Sequence, residues 1–168
     1  MANEIYQVRG TPIVWKASAG DEELDIDGLA AAGVKAGSYY DRTASAAPDE
    51  YEWEAIIDGF STPPVVGETV DLYFAQGGTT GTFDGQIIDL VSDTTGCVPT
   101  EAMLKNMTFA GSTIVHSTTA ADEIISRGVV RFTSRYIMPV VHNNTTDDAL
   151  ATGTHILNLT PVYYQAQS

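Results

Sequence analysis

The sequence predicts an all-β protein, a two-sheet antiparallel sandwich of the jelly-roll type with one short helix. Composition is the first reason: 14 Val, 12 Ile and 20 Thr stand against only 8 Leu, and β-branched side chains fit a pleated, half-buried surface better than a helix. Short runs also alternate apolar and polar residues, as strands with one buried face do. Between the runs lie clusters of Gly, Pro, Asp, Asn and Thr, which suit turns. Long strands with irregular loops favour a jelly roll over a propeller.

The alternation predicts nine strands. It is clearest in EYEWEAIID (50–58), where the apolar side chains share one face and Glu50, Glu52 and Glu54 share the other. TVDLYFA (69–75) repeats the pattern, with three apolar side chains pointing the same way. In chain order the predicted strands are Pro12–Ser18, Glu23–Leu29, Gly37–Thr43, Tyr51–Asp58, Glu68–Gln76, Met107–His116, Ile124–Thr133, Arg135–Asn143 and Thr154–Tyr164.

The remaining organisation is simple. TEAMLKNM (100–107) is the one segment with a helical pattern, and Thr100 suits the cap of its first turn. A chain of 168 residues is expected to bury a single core. We predict an N-terminal arm at residues 1–13, ordered against a neighbouring molecule, and a jelly-roll β-sandwich domain at residues 14–168. Pro139 has no N–H for a sheet ladder, so its strand is predicted to lie at an edge or a bulge.

Charge and cysteine content exclude several classes of function. The formal charge of −14, from 22 acidic and 8 basic residues, disfavours direct contact with nucleic acid and with anionic membranes. A single cysteine, Cys97, excludes an internal disulfide and a cysteine-based zinc cage. No stretch approaches the ~18 apolar residues of a membrane span, and MANEIYQVRGTPIVW lacks the pattern of a secretory signal. We therefore expect a soluble protein synthesised in the cytoplasm.

The stretch MPVVHNNTTDDALATGTHILNL (138–159) holds two histidines and two adjacent aspartates. His142 and His155 could face each other across a hairpin, with Asp147 or Asp148 close by, as metal ligands. A tetrahedral site needs three or four converging ligands, which a hairpin tip rarely holds. The favoured interpretation is a polar hairpin loop, because the segment is rich in turn residues.

Two other segments imitate three functional motifs. GDEELDIDG (20–28) resembles the start of a calcium loop, but Val34 stands at the twelfth position, where that loop needs Glu. Its Glu23 and Asp25 also match the first two acids of the Glu-x-Asp-x-x-Glu strand motif of jelly-roll β-glucanases, whereas Gly28 replaces the last acid. GGTTGTFDG (77–85) lacks the Lys and the helix of a phosphate loop. Solvated acidic strands and a glycine-rich connection are the favoured interpretations.

Several motifs in the last third of the chain resemble a known family. These are the L-x-N-x-T-F-x-G turn in LKNMTFAGSTIVH (104–116), the SRY-x-x-PVV-x-N strand in residues 126–145, and the Ala/Thr/Gly-rich hairpin that leads into LTPV in residues 149–165. The first hundred residues add a W-x-A start and YEWEA…PVVGETVDLYFA. Together they resemble small structural virion proteins of tailed bacteriophages. The chain departs from that pattern at His142, where an aromatic residue is expected, and in its acidic segment 21–27.

The resemblance implies a non-enzymatic capsid decoration (cement) protein on the outer surface of the phage head. The implied partners are the major capsid protein and further copies of the chain in a homotrimer, with no nucleic acid, membrane or cofactor. Apolar residues of the predicted arm, and tyrosines because Tyr is enriched at interfaces, are the candidate contacts. The predicted interface residues are Ile5, Tyr6, Val8, Arg9, Tyr39, Tyr40, Tyr163 and Tyr164.

Two alternatives stay open at this point. A tail or head-fibre module could bind host surface glycan through exposed aromatic rings; Trp15 is the candidate, because the alternation predicts that Trp53 is buried. The second alternative is a glycoside hydrolase, with carboxylates such as Glu23 and Asp25 spaced ~7 Å apart along a strand face.

Overall fold

A computed structural model describes residues 5–17, 22–42, 47–80, 82–84, 100–146 and 148–166. In this described part the chain forms eleven strands and one short helix. The elements in chain order are β1 (Ile5–Arg9), β2 (Ile13–Lys16), β3 (Glu22–Glu23), β4 (Val34–Ala36), β5 (Tyr40–Asp41), β6 (Glu50–Ile57), β7 (Thr69–Gly77), α1 (Glu101–Leu104), β8 (Thr108–Ile114), β9 (Ile124–Arg131), β10 (Tyr136–Asn144) and β11 (Ile156–Ala166).

The strands form two sheets with jelly-roll connectivity. The first sheet has the order β3-β2-β11-β6-β9, with β1 also paired to β11; the second has the order β4-β10-β7-β8, with β5 also paired to β10. If β1 and β2 count as one strand, and likewise β4 and β5, the main strands numbered along the chain lie in the orders 1-8-3-6 and 2-7-4-5. Both sheets are antiparallel in the described part of the chain except for the short parallel pair β2–β3. Sheets interleaved in this way make a double Greek key, and the predicted fold class is confirmed.

The main core lies between the sheets and follows from the alternation in the sequence. β6 has alternating half-buried and buried residues along its whole length, and Val70, Leu72 and Phe74 of β7 are buried. Aromatic edge-to-face pairs join the sheets, such as Phe74 with Phe132 at 4.9 Å between ring centroids. Burying these rings supplies much of the driving force for folding.

A second apolar cluster covers the outer face of the second sheet. Tyr136, Met138 and Val140 of β10 point into it, and Phe83 and Leu104 cover them from the long connection between β7 and β8. β10 is therefore buried on both faces, from Tyr136 to Asn143. This cluster explains why the described parts of the connection between β7 and β8, at Phe83 and α1, pack against the sheet.

β10 is an interior strand, so of the two positions predicted for Pro139, an edge strand or a bulge, the edge strand is excluded. The carbonyl of Pro139 accepts a hydrogen bond from Gly37 N at 2.9 Å. The N–H and C=O of a residue in an antiparallel strand point to the same side. The side of Pro139 that lacks an N–H donor therefore faces the interruption between β4 and β5. There the three residue-to-residue steps from Ile137 to Val140 in β10 lie opposite the four steps from Ala36 to Tyr40. The extra residue forms a bulge, which is the other position that the sequence predicted for Pro139.

Pro161 in β11 repeats this arrangement in the first sheet. Its carbonyl accepts a hydrogen bond from Gly10 N at 2.9 Å. The three steps from Leu159 to Val162 oppose the four steps from Arg9 to Ile13. β1 and β2 are thus two halves of one strand, separated by a bulge beside a central proline.

The predicted strands differ from the observed ones mainly in the first third of the chain. The segment 23–29 has strand pairing only in β3, although Leu24 and Ile26 are buried as the alternation predicts. The predicted strand Gly37–Thr43 is reduced to β5, and β4 was not predicted. Helix α1 spans Glu101–Leu104, about half of the predicted segment. Short strands of two or three residues carry too little alternation to be recognised.

Residues 5–9 of the predicted N-terminal arm pair with β11 of the same chain, from Ile5 opposite Ala166 to Arg9 opposite Val162. The expectation that the arm orders only against a neighbour therefore needs correction for these residues. β1 continues along the same edge of β11 as β2, and this part of β11 extends beyond the end of its pairing with β6 at Pro161.

The corner where β8 and β9 meet is filled by Trp53. An added Cβ would lie 2.6 Å from Trp53 Nε1 at Gly128 and 2.5 Å from Trp53 Cζ2 at Gly111. The buried indole therefore occupies the space that side chains at these two positions would need. Overpacked cores are destabilised because rigid rings cannot move aside.

We predict that Gly128→Ala lowers the free energy of unfolding by about 1–3 kcal/mol, because the new methyl group collides with the indole. Urea denaturation followed by Trp fluorescence measures the change. Gly78→Ala is the matched control, since an added Cβ there meets nothing within 4 Å. Equal destabilisation by both substitutions would show that the close packing of Trp53 is unimportant.

Candidate functional site

The most exposed apolar side chains of the predicted interface lie on a two-stranded extension of the first sheet. This extension, which we call the terminal ribbon, consists of β1 and residues 162–166 of β11. Every residue of β1 is exposed, including Ile5 at 69%, and Tyr164 on β11 is exposed at 59%. The pairing of β6 with β11 ends at Pro161. Within the described residues, neither outer edge of the ribbon has a strand partner.

Two side-chain contacts attach the terminal ribbon to the sheet. Arg9 donates to both carboxylate oxygens of Glu52, at 2.6 and 2.7 Å. The hydroxyl of Tyr164 donates to Glu50. Bidentate Arg–carboxylate pairs fix geometry as well as charge, so these contacts orient the ribbon relative to β6.

The glutamates of β6 are each paired with an arginine. Glu50 pairs with Arg131 at 2.7 Å, Glu52 with Arg9 at 2.6 Å, and Glu54 with Arg127 at 2.5 Å. We call these six residues the charged row. The row has no net charge, although the whole chain carries −14. The outer face of the first sheet is therefore less repulsive to an acidic partner than the rest of the surface.

The electrostatics of the charged row argue against a general-acid role for Glu50 and Glu52. The Tyr164 hydroxyl and then the Arg131 guanidinium hold the pKa of Glu50 below its ordinary value. The hydrogen bond from Arg9 likewise lowers the pKa of Glu52. A general acid of a glycosidase needs a raised pKa, which an apolar environment supplies. These glutamates have the opposite environment.

A groove of about 630 Å³ crosses the same face of the sheet. Val14, Asn158 and Thr160 line it together with Glu52 and Glu54 of the charged row. Val129, opposite Glu52, adds an apolar side chain that is 56% exposed. The face thus combines neutralised charges with exposed apolar groups, as protein interfaces do.

The four predicted interface tyrosines do not form one cluster, although Tyr40 and Tyr163 line the same pocket. Tyr39 packs edge-on against Tyr136, at 5.6 Å, in the second apolar cluster. Tyr40 packs edge-on against Trp15, at 6.3 Å, next to the main core. Tyr163 is half-buried, and of the four only Tyr164 is exposed. The interface role of these residues stays a prediction, supported by exposure at Tyr164 alone.

Both tryptophans are buried, so the glycan hypothesis was wrong in its choice of Trp15. Trp15 is fully buried, and its indole donates to the carbonyl of Ser38 at 3.0 Å. Trp53 is 4% exposed, as the alternation predicted. A ring that stacks on a sugar must present a face to solvent, and neither indole does.

The two histidines at 142 and 155 have separate environments. Nδ1 of His155 accepts the backbone N–H of Asp58 at 3.1 Å, and Nε2 lies 2.9 Å from the carbonyl of Ala151. This buried ring therefore holds two loops together, with a proton on Nε2. His142 lies on the outer face of β10, opposite Asp71 of β7.

The predicted acidic sites do not form a metal centre in the described part of the chain. Asp25 pairs with Lys35 at 3.8 Å, and Asp27 accepts the backbone N–H of Gly153 at 3.2 Å. Among the described residues no three His, Cys, Asp or Glu side chains are arranged to hold a metal ion. Cys97 and Asp147 lie outside the described residues.

The glycine-rich segment 77–85 is a connection where it is described. β7 ends at Gly77, and Thr79 bridges to Thr82. The described residues contain no helix with the length and apolar character that a membrane crossing requires.

Sequence reasoning missed the arginines of the charged row other than Arg9. Arg127 and Arg131 lie opposite Glu54 and Glu50 in the register of β6 and β9. The pattern ISRGVVR shows the two arginines four residues apart, on one face of a strand. Recognising the ion pairs also required knowing that β9 pairs with β6, which the sequence alone does not give.

No protein-family model matches the sequence, and no curated protein is similar to it. Functional conclusions therefore depend on the residues themselves and on the geometry described above.

We predict that the charged row contributes stability that is lost in acid. The folded-state pKa of Glu50 and Glu52 lies below the ordinary value of 4.5. Their contribution is therefore complete above that value and disappears as the pH falls through the folded-state pKa. The double substitution Glu50→Gln and Glu52→Gln should reduce the loss of stability between about pH 5.5 and about pH 3.

Urea midpoints measured across this range test the prediction. The control is Glu101→Gln with Glu123→Gln, because both glutamates are exposed and neither forms an ion pair within the described residues. If the double variant and the wild type lose stability in parallel, the ion pairs do not act as described.

Proposed function

We propose that this chain is a capsid decoration (cement) protein of a tailed bacteriophage, bound on the outer surface of the head. It contacts the major capsid protein and further copies of itself, in a homotrimer, and has no enzymatic role. The observation that carries the proposal is the terminal ribbon, which exposes Ile5, Tyr6, Val8 and Tyr164 on an extension of a rigid sandwich. The resemblance of residues 104–165 to phage virion proteins supplies the type of partner.

The terminal ribbon supports a contact role because its exposed apolar side chains gain stability when a partner covers them. A two-stranded ribbon is marginally stable alone in water. Exposed apolar patches on a stable body commonly mark protein interfaces. The free edge of β1 also offers backbone donors and acceptors to a partner strand, the usual mode of β-augmentation.

The body of the protein is suited to a mechanical role without chemistry. Jelly-roll strands are hydrogen-bonded across the sheets, so a force applied to one edge is distributed over many bonds in the described sheets. The high negative charge of the chain limits non-specific binding to nucleic acid released in the cell. The neutral charged row leaves one face where an acidic partner can approach.

We predict that Ile5→Asp combined with Val8→Asp lowers occupancy on purified phage heads at least about tenfold. The two exposed apolar side chains that the partner would cover are replaced by charged ones, which costs about 2 kcal/mol or more of binding free energy. Quantitative gel analysis of heads incubated with a fixed protein concentration measures occupancy. The matched control is Val65→Asp with Val66→Asp, since these residues are exposed at 57% and 55% in the connection between β6 and β7, at the other end of the sandwich.

Heads that lack the protein should rupture at a lower temperature than heads that carry it. Equal robustness with and without the protein would contradict the cement role. A copy number of a dozen or fewer per virion, rather than hundreds, would assign the chain to a tail or fibre instead.

A further inference from the structure

A polar pocket lies between α1 and the outer face of the second sheet. Its volume is about 240 Å³, below the ~300–1,000 Å³ of pockets that hold drug-sized ligands. This volume can hold the end of one amino-acid side chain or a small charged molecule. The lining residues are Asp71, Tyr73, Glu101, Leu104, Lys105, His142 and Asn144. We call this site the polar pocket.

Asp71 is a buried carboxylate without a cationic partner. It is 7% exposed, and it accepts hydrogen bonds from Ser112 Oγ at 2.6 Å and Asn144 Nδ2 at 3.2 Å. Within the described residues, no Lys or Arg forms an ion pair with it. Burying a carboxylate without a counter-charge is costly. Each of its oxygens also has capacity for a further hydrogen bond.

His142 is a buried ring without a hydrogen-bond partner among the described residues. It is 5% exposed, lines the polar pocket and lies directly opposite Asp71 in the register of β10 and β7. A neutral imidazole has one nitrogen that accepts a hydrogen bond. The fully buried polar side-chain atoms without a partner in the described part of the chain are Trp53 Nε1 and Glu68 Oε2, and not the nitrogens of His142. The imidazole is therefore reachable from the pocket that it lines and available to a group that enters it.

Acidic residues outnumber cationic ones in the lining of the polar pocket, with Asp71 and Glu101 against Lys105. Burial and then the carboxylates of Asp71 and Glu101 raise the pKa of Tyr73. Both acidic groups therefore act on the space in front of this ring. Lys105 is the one cationic residue among those lining the pocket; it is exposed, and it forms no ion pair within the described residues.

We propose that the polar pocket binds a single ammonium or guanidinium group. The group donates hydrogen bonds to Asp71 and to the free nitrogen of His142, and Glu101 attracts it from the rim. Tyr73 offers an aromatic ring, which favours cations through its negative face. A charged hydrogen bond to a buried carboxylate is stronger than a neutral one. A metal ion is not the expected ligand, because the described acidic and histidine side chains do not converge as metal ligands do.

Two sources can supply such a group: a free small amine or guanidine, and the end of a Lys or Arg side chain of another protein. The inference does not depend on the proposed function, because binding is a property of the isolated chain. A negative binding result would therefore leave the cement role standing, and loss of the cement role would leave cation binding standing.

The test uses the full chain and the ring-proton NMR signals of His142, assigned by comparison with a His142→Gln variant. Ethylguanidinium and ethylammonium are the free cationic probes, and ethylurea is the neutral probe of similar shape. The tripeptide Gly-Arg-Gly represents a protein side chain, with Gly-citrulline-Gly as its neutral counterpart. We expect a saturable shift with the cationic probes and none with the neutral ones.

Variants locate the binding. Glu101→Gln should weaken it about 2–5-fold, as for an exposed ion pair, and Asp71→Asn at least about tenfold, as for a buried charged hydrogen bond. Glu123→Gln, a matched exposed glutamate away from the pocket, should leave it unchanged. Glu101→Gln does not alter the core, so it remains decisive if Asp71→Asn fails to fold.

Two results support the proposal and separate the sources. Equal affinity for free and peptide-borne cations indicates a small-molecule ligand, and tighter binding of the peptide indicates a side chain of a partner. The proposal is overturned if no cationic probe gives a saturable shift, if the neutral probes bind equally well, or if Glu101→Gln binds like Glu123→Gln.

Discussion

The backbone hydrogen bonds that Pro139 and Pro161 cannot donate shape both sheets. Each proline lies in a central strand, and in each case the neighbouring strand is interrupted by one extra residue. The interruption separates β1 from β2 and β4 from β5, and a glycine N–H bonds to each proline carbonyl. Bulges increase local twist and bend the strand that carries them. The position of the terminal ribbon relative to the sandwich therefore depends on a missing N–H group at Pro161.

Sequence patterns predicted the long strands because each has one face in the core. The alternation in β6, with glutamates outside and apolar side chains inside, required no tertiary information. The alternation did not predict the environment of β10, because its outer face is covered by residues of a distant connection. Its proline is tolerated because the adjacent strand is interrupted. Both facts arise from contacts between segments far apart in the chain. The short strands β3 to β5 are defined by pairing, not by periodicity.

The candidate surfaces were predictable only in part for the same reason. The exposure of Ile5 and Val8 agrees with their choice as contact residues, whereas their pairing with β11 was not foreseen. Tyr39 and Tyr40 point to different clusters because neighbouring side chains in an extended chain alternate. Burial of Trp15 depends on its packing against Phe74 of the other sheet. The polar pocket needs the docking of α1, for which a four-residue helix gives no sequence pattern.

The antiparallel pairing of β1 with β11 brings the two ends of the described chain together, since Ile5 lies opposite Ala166. A tag or cargo fused next to these two residues would therefore crowd the ribbon that is offered to partners. Ends this close also favour circular permutation, in which a short linker joins them and new ends are opened elsewhere. The exposed connection around Gly67, at the opposite end of the sandwich, is a suitable place to open the chain or to display a peptide.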